Sequence, residues 1–205
     1  EIVQIVGDNS LRLQRLIEDL LRFSLAEGPV GAGMVQELSL THVVEDLLLS
    51  YKPSLRSNAL HLETRLEEVR IRGHADRLRT ICDNLLSNAV KFSPQNGTIR
   101  VDLQVQDEDA VLDVQDEGPG VDPDEREKIF DILYRGEASD SGKIEGSGLG
   151  LAIAREYVLS YGGSLELQDK KTPGAWFRVR LPLAGQDASH AHHSADADGM
   201  RQHPS

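Results

Sequence analysis

The chain has 205 residues, of which 39% are hydrophobic and 27% are charged, and its formal net charge is −12. This length supports one substantial hydrophobic core with an appended segment. The acidic balance and the lack of a long basic run argue against nucleic-acid binding, because phosphate backbones are bound by clusters of lysine and arginine.

The compartment is suggested by cysteine usage and hydropathy. The single cysteine, Cys82, excludes a disulfide within the chain and favours a reducing compartment. No apolar run approaches the roughly 18 residues of a membrane span, and the first residues carry no basic leader. We therefore expect a cytoplasmic segment without direct membrane contact. Because the chain opens inside a helical pattern without an initiator methionine, we interpret it as a piece of a longer protein.

Residues 2 to 25 predict one long helix with an apolar seam. The seam positions alternate in spacing between four and three residues, which is typical of a heptad repeat, and Asn9 is its one polar interruption. Further apolar positions widen this face and favour a helical bundle over a lone coiled coil. The glycine-rich segment 28–33 then predicts a domain boundary. The seam residues are Ile2, Val6, Asn9, Leu13, Leu16, Leu20 and Phe23.

Helical and strand patterns alternate along the rest of the chain. Helices are predicted over residues 41–56, 75–92 and 149–161, where Pro53 should kink or shorten the first and Gly162-Gly163 should end the last. A short helix and turn are predicted over 123–135. The strands at 98–106 and 110–116 should form a hairpin across an acidic loop. Strands are predicted at 61–66, 69–72, 98–106, 110–116, 164–169 and 174–183.

Two segments carry no periodic pattern. Residues 136 to 147 are polar and rich in glycine, and we interpret them as a mobile lid. Residues 184 to 205 are rich in alanine, serine, histidine and aspartate, and we expect this tail to be disordered.

The helix over 75–92 carries an unusual polar face. Asn84 and Asn88 are one turn apart and Lys91 follows on the same side, opposite an apolar face. Such residues can form an ordinary solvated surface. Alternatively, an amide oxygen ligates Mg²⁺, which prefers oxygen ligands and is often shared with substrate phosphates. Lys91 would then face the same phosphates as a point charge.

A carboxylate and two glycines follow the strand that ends near residue 116. Asp116 can accept a hydrogen bond from an exocyclic amine of a base, while Gly118 and Gly120 let the backbone approach a ring closely. The same residue types also form ordinary turns, so this motif alone leaves both readings open.

A third motif, Gly146-Ser147-Gly148-Leu149-Gly150, opens the last predicted helix. Exposed amides at a helix N-terminus favour phosphate. The spacing differs from the G-x-G-x-x-G dinucleotide fingerprint, and it follows a loop rather than a strand. No Gly-Lys-Ser/Thr tripeptide of a P-loop is present, so the motif belongs to neither class.

In this order, the three motifs and the segment Ile129–Arg135 resemble the ATP-binding domain of sensor histidine kinases. That domain shares its fold with gyrase-type ATPases, Hsp90 chaperones and MutL proteins. The resemblance covers residues 38–183 and implies a two-layer α/β sandwich, the Bergerat-type fold, in which helices cover one face of a mixed sheet. Residues 1–27 more weakly resemble the second helix of the family's dimerisation bundle, and residues 28–37 would be a linker.

The resemblance implies roles for single residues. Asn88 would ligate Mg²⁺, while Asn84, which stands where related ATPases hold a catalytic glutamate, would help to position metal and phosphates. Asp116 would bind adenine beside Gly118 and Gly120. The remaining residues would line the ATP site: Lys91 at a phosphate, Phe92 at the nucleotide's border, Phe130 at the lid base, Arg135 near the terminal phosphate, and Gly146, Gly148, Leu149 and Gly150 around the phosphates.

The chain departs from the family pattern at two places. His42, His61 and His74 lack the following acidic residue and proline of the family's phosphoacceptor histidine, so we expect that histidine on a helix preceding residue 1. Ile132-Leu133 replaces a frequent Pro-Phe near the lid, which affects lid packing rather than ATP binding.

The resemblance implies a reaction and partners for the full-length protein. The γ-phosphoryl group of ATP would pass to a bundle histidine and then to an aspartate on a response regulator receiver domain. The bundle would form a homodimer, and we expect the full-length protein to be anchored in the inner membrane. Two alternatives are a non-catalytic nucleotide-binding module and a piece of a gyrase- or chaperone-type ATPase, which typically has glutamate at the position of Asn84.

Overall fold

The computed structural model describes residues 34–136, 146–170 and 172–185. The predicted bundle helix, the glycine-rich segment 28–33, most of the predicted lid and nearly all of the tail lie outside these residues. The helices of the described part are α1 (Leu40–Ser57), α2 (Ala75–Phe92) and α3 (Gly150–Ser160), with short 3-10 turns at Pro123–Glu125 and Lys128–Phe130. Its strands are β1 (Gln36–Ser39), β2 (His61–Leu66), β3 (Arg70–Gly73), β4 (Thr98–Gln106), β5 (Asp109–Gln115), β6 (Ser164–Leu167) and β7 (Trp176–Pro182).

Five of these strands form one mixed sheet in the order β2-β4-β5-β7-β6. Strands β2 and β4 are parallel, and the other neighbours are antiparallel. The predicted hairpin of β4 and β5 is confirmed, with Gln106 paired to Asp109 at its turn. Strands β1 and β3 form a separate antiparallel pair.

The helices cover one face of the five-stranded sheet, as predicted. Alternate residues of β4 are buried, and they join side chains of the three helices in one hydrophobic core. Helix α2 packs against both α1 and α3 and lies between them. Its apolar positions recur at spacings of three and four, and its fully buried residues are Leu78, Ile81 and Leu85.

The opposite face of the sheet carries charged side chains joined across strands. Arg100 on β4 pairs with Glu63 on β2 at 2.6 Å. On β5 the buried carboxylate of Asp113 accepts two hydrogen bonds from the Arg178 guanidinium, each at 2.8 Å, and one from the Trp176 indole at 2.7 Å. These bonds satisfy the buried charge, so this face is stable without a covering layer of helices.

The end of α3 confirms the predicted glycine stop. Gly162 has a φ of +73°, the left-handed conformation that glycine adopts without strain. Its N–H donates to Leu159 O at 2.9 Å, and the Gly163 N–H donates to Val158 O at 3.0 Å. This is a Schellman motif, which satisfies the last carbonyls of the helix.

Two sequence-based expectations are corrected. Helix α1 is not shortened at Pro53 but continues to Ser57. Proline removes only one helical hydrogen bond, and Leu55 beyond it is buried in the core, which stabilises the last turn. The predicted linker 28–37 also extends too far, because β1 begins at Gln36 and Glu37 forms an ion pair with Arg70 on β3 at 2.6 Å.

None of the helices among the described residues combines the length and the apolar character needed to cross a membrane.

Candidate functional site

The polar face of α2 runs along the middle of the candidate site. Asn84 and Asn88 are half-buried one turn apart, and Lys91 is exposed in the last turn. The hydrophobic residues on the other side of α2 hold it in the core, so this polar face has a fixed position. From Asn84 to Phe92 the helix rises about 12 Å at 1.5 Å per residue.

The N-terminus of α3 meets this face at Asn84. A β-carbon placed on Gly150 would lie 2.6 Å from Asn84 Oδ1, so only a glycine lets the amide lie against the first turn of α3. Leu149, directly before it, is fully buried, and its N–H donates to Ser147 Oγ at 3.3 Å. The core therefore anchors the start of α3, where unpaired N–H groups and the helix dipole create a partial positive charge.

The loop after β5 meets the other end of the same face. A β-carbon on Gly118 would lie 2.7 Å from Phe92 O, which makes glycine necessary for this close approach. Gly120, with a φ of +80°, packs against the backbone of Gly174 instead. The second and third glycine motifs thus contact the same helix eight residues apart.

Asp116 is the most constrained of the candidate residues. It is only 4% exposed, and its Oδ1 accepts hydrogen bonds from the N–H groups of Gly118 at 2.8 Å and Ala175 at 3.1 Å. Burial raises the pKa of this carboxyl above its ordinary value, while the two N–H groups and the positive charge of Lys170 oppose the rise. Oδ2 has no hydrogen-bond partner among the described residues, so it can accept one from a ligand.

Phe130 is the last residue of the second 3-10 turn, shortly before residue 136. Its ring meets Phe177 of β7 edge-on, with 6.4 Å between centroids, and the Arg155 guanidinium carbon lies 5.0 Å from its centroid. These contacts connect this turn to both β7 and α3.

A hydrogen bond joins two residues that flank the segment 136–147, which was predicted to be a lid. The Leu133 N–H donates to Gly148 O at 3.0 Å. Gly148 has a φ of +74°, and a β-carbon there would lie 2.7 Å from Tyr134 O. This stem, formed by Leu133 and Gly148, therefore requires glycine at position 148. Arg135 is half-buried beside the stem, whereas Gly146 is exposed with no atom within 4 Å of where a β-carbon would be.

The sequence did not point to several residues that hold the Asp116 loop. Glu117 Oε2 accepts a hydrogen bond from the Thr98 N–H at 2.9 Å, which ties the loop to the start of β4. The Lys170 ammonium donates to Asp116 O, and Ala175 donates to the carboxylate. Gly174 was predicted to lie at the start of a strand and was given no role in the site. These contacts join residues 19 to 59 positions apart and leave no periodic signal.

The fold and the site define a class of protein, and comparison with known proteins identifies it. Residues 73–185 match the family model described as histidine kinase-, DNA gyrase B-, and HSP90-like ATPase. The chain belongs to this family of ATPases, as the resemblance predicted.

Within that family, the similar proteins are sensor histidine kinases. Sensor histidine kinase GlrK of Escherichia coli K12 is 30% identical over 182 residues, which cover 89% of this chain and 38% of GlrK. A solved structure of the mycobacterial sensor histidine kinase MprB is 30% identical, with a TM-score of 0.64, and covers 73% of this chain and 98% of that chain. The fold also matches that of histidine kinase ThkA, which was solved in complex with the response regulator protein TrrA. The TM-score is 0.71 at 20% identity, and the match covers 89% of this chain and 50% of that chain. The chain spans well under half the length of GlrK.

Proposed function

We propose that this chain supplies the ATP-binding catalytic part of a sensor histidine kinase, in which Asn84, Asn88 and Lys91 act on the phosphates. One observation carries the proposal: Gly150 touches Asn84 and Gly118 touches the Phe92 carbonyl, so three motifs distant in sequence border one stretch of α2. In this arrangement the Phe92 end of α2 would face a base, and the Asn84 end would face phosphates.

The base would bind at Asp116. Oδ1 is occupied by two backbone N–H groups, and the remaining oxygen accepts a hydrogen bond from the exocyclic amine of adenine. Gly118 allows the loop that carries Asp116 to lie against the end of α2, where Phe92 would border the ring. Because the carboxylate is buried, an unsuitable base edge would leave its charge unpaired, which supports adenine selectivity.

The phosphates would bind near the N-terminus of α3. The N–H groups in the first turn of α3 and the helix dipole favour negative charge, and Lys91 adds a cation. Arg135, beside the stem, would reach the terminal phosphate. These groups position the triphosphate and neutralise its charge, which is most of what phosphoryl transfer requires of a protein.

The donor set fits Mg²⁺ shared with a nucleotide. Among the described residues no group of three or more histidine, cysteine, aspartate or glutamate side chains forms a metal site. Mg²⁺ is commonly held by one or two protein oxygens together with substrate phosphates, and the Asn88 amide offers one such oxygen. When bound there, Mg²⁺ would neutralise phosphate charge.

The acceptor of the phosphoryl group would be a histidine on a dimeric bundle of the full-length protein, and a response regulator receiver domain would accept it next. The family membership and the similarity to sensor histidine kinases support this route. The full-length protein would then work from the cytoplasmic side of a membrane to which it is anchored.

Transfer of labelled γ-phosphate tests the proposal. The chain is mixed with Mg²⁺, labelled ATP and a bundle fragment that carries the phosphoacceptor histidine. The wild-type chain should label the fragment, and Asn88→Ala should abolish labelling because the proposed ligand is lost. Asn58→Ala, at an exposed asparagine after α1, is the matched control and should retain transfer.

Other outcomes would contradict the proposal in distinct ways. ATP binding without any transfer would favour a non-catalytic regulatory module. Steady hydrolysis of ATP by the chain alone would favour a gyrase- or chaperone-type ATPase. Full transfer by Asn88→Ala would refute the assignment of Asn88.

A further inference from the structure

The end of the β5–β7 ladder is irregular at Asp116. In a regular hydrogen-bonded pair of antiparallel residues, each N–H donates to the main-chain carbonyl of the other. Here the Asp116 N–H donates to Ala175 O at 3.0 Å, but the Ala175 N–H donates to the Asp116 side chain. The carboxylate has replaced the carbonyl as the acceptor.

This replacement leaves the Asp116 carbonyl without a strand partner. The Lys170 ammonium, from the connection between β6 and β7, donates a hydrogen bond to that oxygen. A β-carbon on Gly174 would overlap the same oxygen, so glycine at 174 gives the carbonyl its space. Lys170 and Gly174 together satisfy and accommodate a carbonyl that would otherwise compete for the Ala175 N–H.

Three other charged side chains described around this loop have partners of their own. Arg126 pairs with Asp169 at 2.5 Å, Asp113 pairs with Arg178, and Glu117 accepts from Thr98. Among the described residues of the β6–β7 connection, Lys170 is the cation whose charge acts on the Asp116 carboxyl. Its charge also favours the ionised form of the Asp116 carboxyl, which opposes the effect of burial on its pKa.

We propose that Lys170 is a positioning residue for base recognition: by binding the Asp116 carbonyl it holds the carboxylate across the ladder, with Oδ2 directed to the base. Without Lys170, the carbonyl would bind the Ala175 N–H as in an ordinary ladder, and the carboxylate would lose one of its two fixed hydrogen bonds. This inference rests on the proposed function, because it assumes that Asp116 reads a base.

Binding measurements on the full chain test this role. Lys170→Met keeps the length of the side chain but removes its charge and its hydrogen-bond donors. Lys170→Arg keeps the charge and the donors. Affinities for ATP and for purine riboside triphosphate, which lacks the exocyclic amine, are measured by competition with a fluorescent nucleotide. Lys52→Met, at an exposed lysine of α1, is the matched control.

We expect Lys170→Met to weaken ATP binding roughly tenfold, as for loss of one charge-assisted hydrogen bond, and to change binding of the purine analogue little. Lys170→Arg should restore ATP affinity, and Lys52→Met should match the wild type. Equal weakening for both nucleotides would mean a merely structural role and would overturn the inference, as would unchanged ATP binding by Lys170→Met. Failure of the wild-type chain to bind ATP would instead contradict the proposed function itself.

Discussion

At the scale of single residues, Asp116 shows how a buried charge is kept in a usable orientation. Two backbone N–H groups fix one of its oxygens, and burial alone would favour the protonated form. The side chain is thus held by the protein through one oxygen while the other faces no described partner. Burial of such a charge lowers the folding stability, which the proposed role in base recognition would explain.

Comparison with Asp116→Asn should reveal this loss of folding stability as a pH dependence of the free energy of unfolding. The native state holds the Asp116 pKa above 3.8, so it binds the proton more tightly than the unfolded chain does. The resulting stability is fully present below the unfolded value and is lost as the pH rises through the native pKa. The free energy of unfolding of the wild type should therefore fall, relative to Asp116→Asn, as the pH rises from below 3.8 into the weakly acidic range.

Urea denaturation of both proteins at a series of pH values measures this difference. The asparagine retains an oxygen for the Gly118 and Ala175 N–H groups, so the comparison isolates the titration. Asp46→Asn, at an exposed position on α1, controls for the change of net charge. A constant difference between wild type and Asp116→Asn across the acid range would contradict the prediction.

The residues proposed to contact the nucleotide were accessible to sequence reasoning, and the residues that hold them in place were not. Asn84, Asn88 and Asp116 stand in short motifs with recognisable spacing, and the structure brings their motifs to one helix. Lys170 stands in a polar turn where its charge has no local explanation. Its role depends on the irregular pairing of Asp116 with Ala175, which only the folded strands create.

At the scale of elements, the contact between α2 and α3 determines the position of Asn84 relative to the first turn of α3. Helix α3 begins at Gly150, directly against Asn84, and its buried residues fix it to the sheet and to α2. The polar amide therefore lies between two rigid helices rather than on a free surface.

Gly150→Ala should separate stability from binding. The new β-carbon would meet Asn84 Oδ1, the end of a flexible side chain that can rotate away. We therefore expect the free energy of unfolding to change by no more than about 1 kcal/mol, since alanine favours a helix. Affinity for Mg²⁺-ATP should fall, because the displaced amide no longer faces the phosphates. Denaturation and nucleotide titration measure the two effects.

A double-mutant cycle checks the cause of that loss. In an Asn84→Ala background, Gly150→Ala should weaken binding no further, because the displaced group is already gone. Additive losses in affinity would show that Gly150 acts on the nucleotide independently of Asn84.

Most elements followed from local patterns, but their arrangement did not. The helical periodicity of 75–92 and the hairpin of β4 and β5 were predicted because their signals lie within one segment. Strand β1 was missed because its four residues include exposed polar ones and its partner, β3, lies more than thirty positions away. The parallel pairing of β2 with β4 likewise depends on α2, which connects distant parts of the sheet.

At the scale of the whole molecule, the two faces of the sheet are stabilised by different interactions. One packs against the helices that carry the candidate site, and the other is stabilised by ion pairs between neighbouring strands. Among the described residues, the five-stranded sheet and the three helices share one hydrophobic core.

Mg²⁺-ATP should stabilise the chain against thermal unfolding. A ligand that binds only the native state adds about 2.7 kcal/mol at a free concentration one hundred times its dissociation constant. Because Asn88 would share the metal with the phosphates, the rise in Tm of the wild type should be smaller with ATP in EDTA than with Mg²⁺-ATP. With Mg²⁺-ATP, the rise should also be smaller for Asn88→Ala than for the wild type. Scanning calorimetry provides the measurement, and an equal rise in Tm with and without Mg²⁺ would contradict the shared-metal site.

The hydrogen bond between Leu133 and Gly148 closes a stretch of chain whose two ends are fifteen positions apart in the sequence. The entropy of closing such a stretch grows slowly, at roughly 0.6 kcal/mol for each doubling of its length. We expect insertions between these two residues to leave the sheet, the core and the hydrogen bonds of Asp116 in place. Natural selection can therefore vary the length of the chain between Leu133 and Gly148 without having to find a new fold each time.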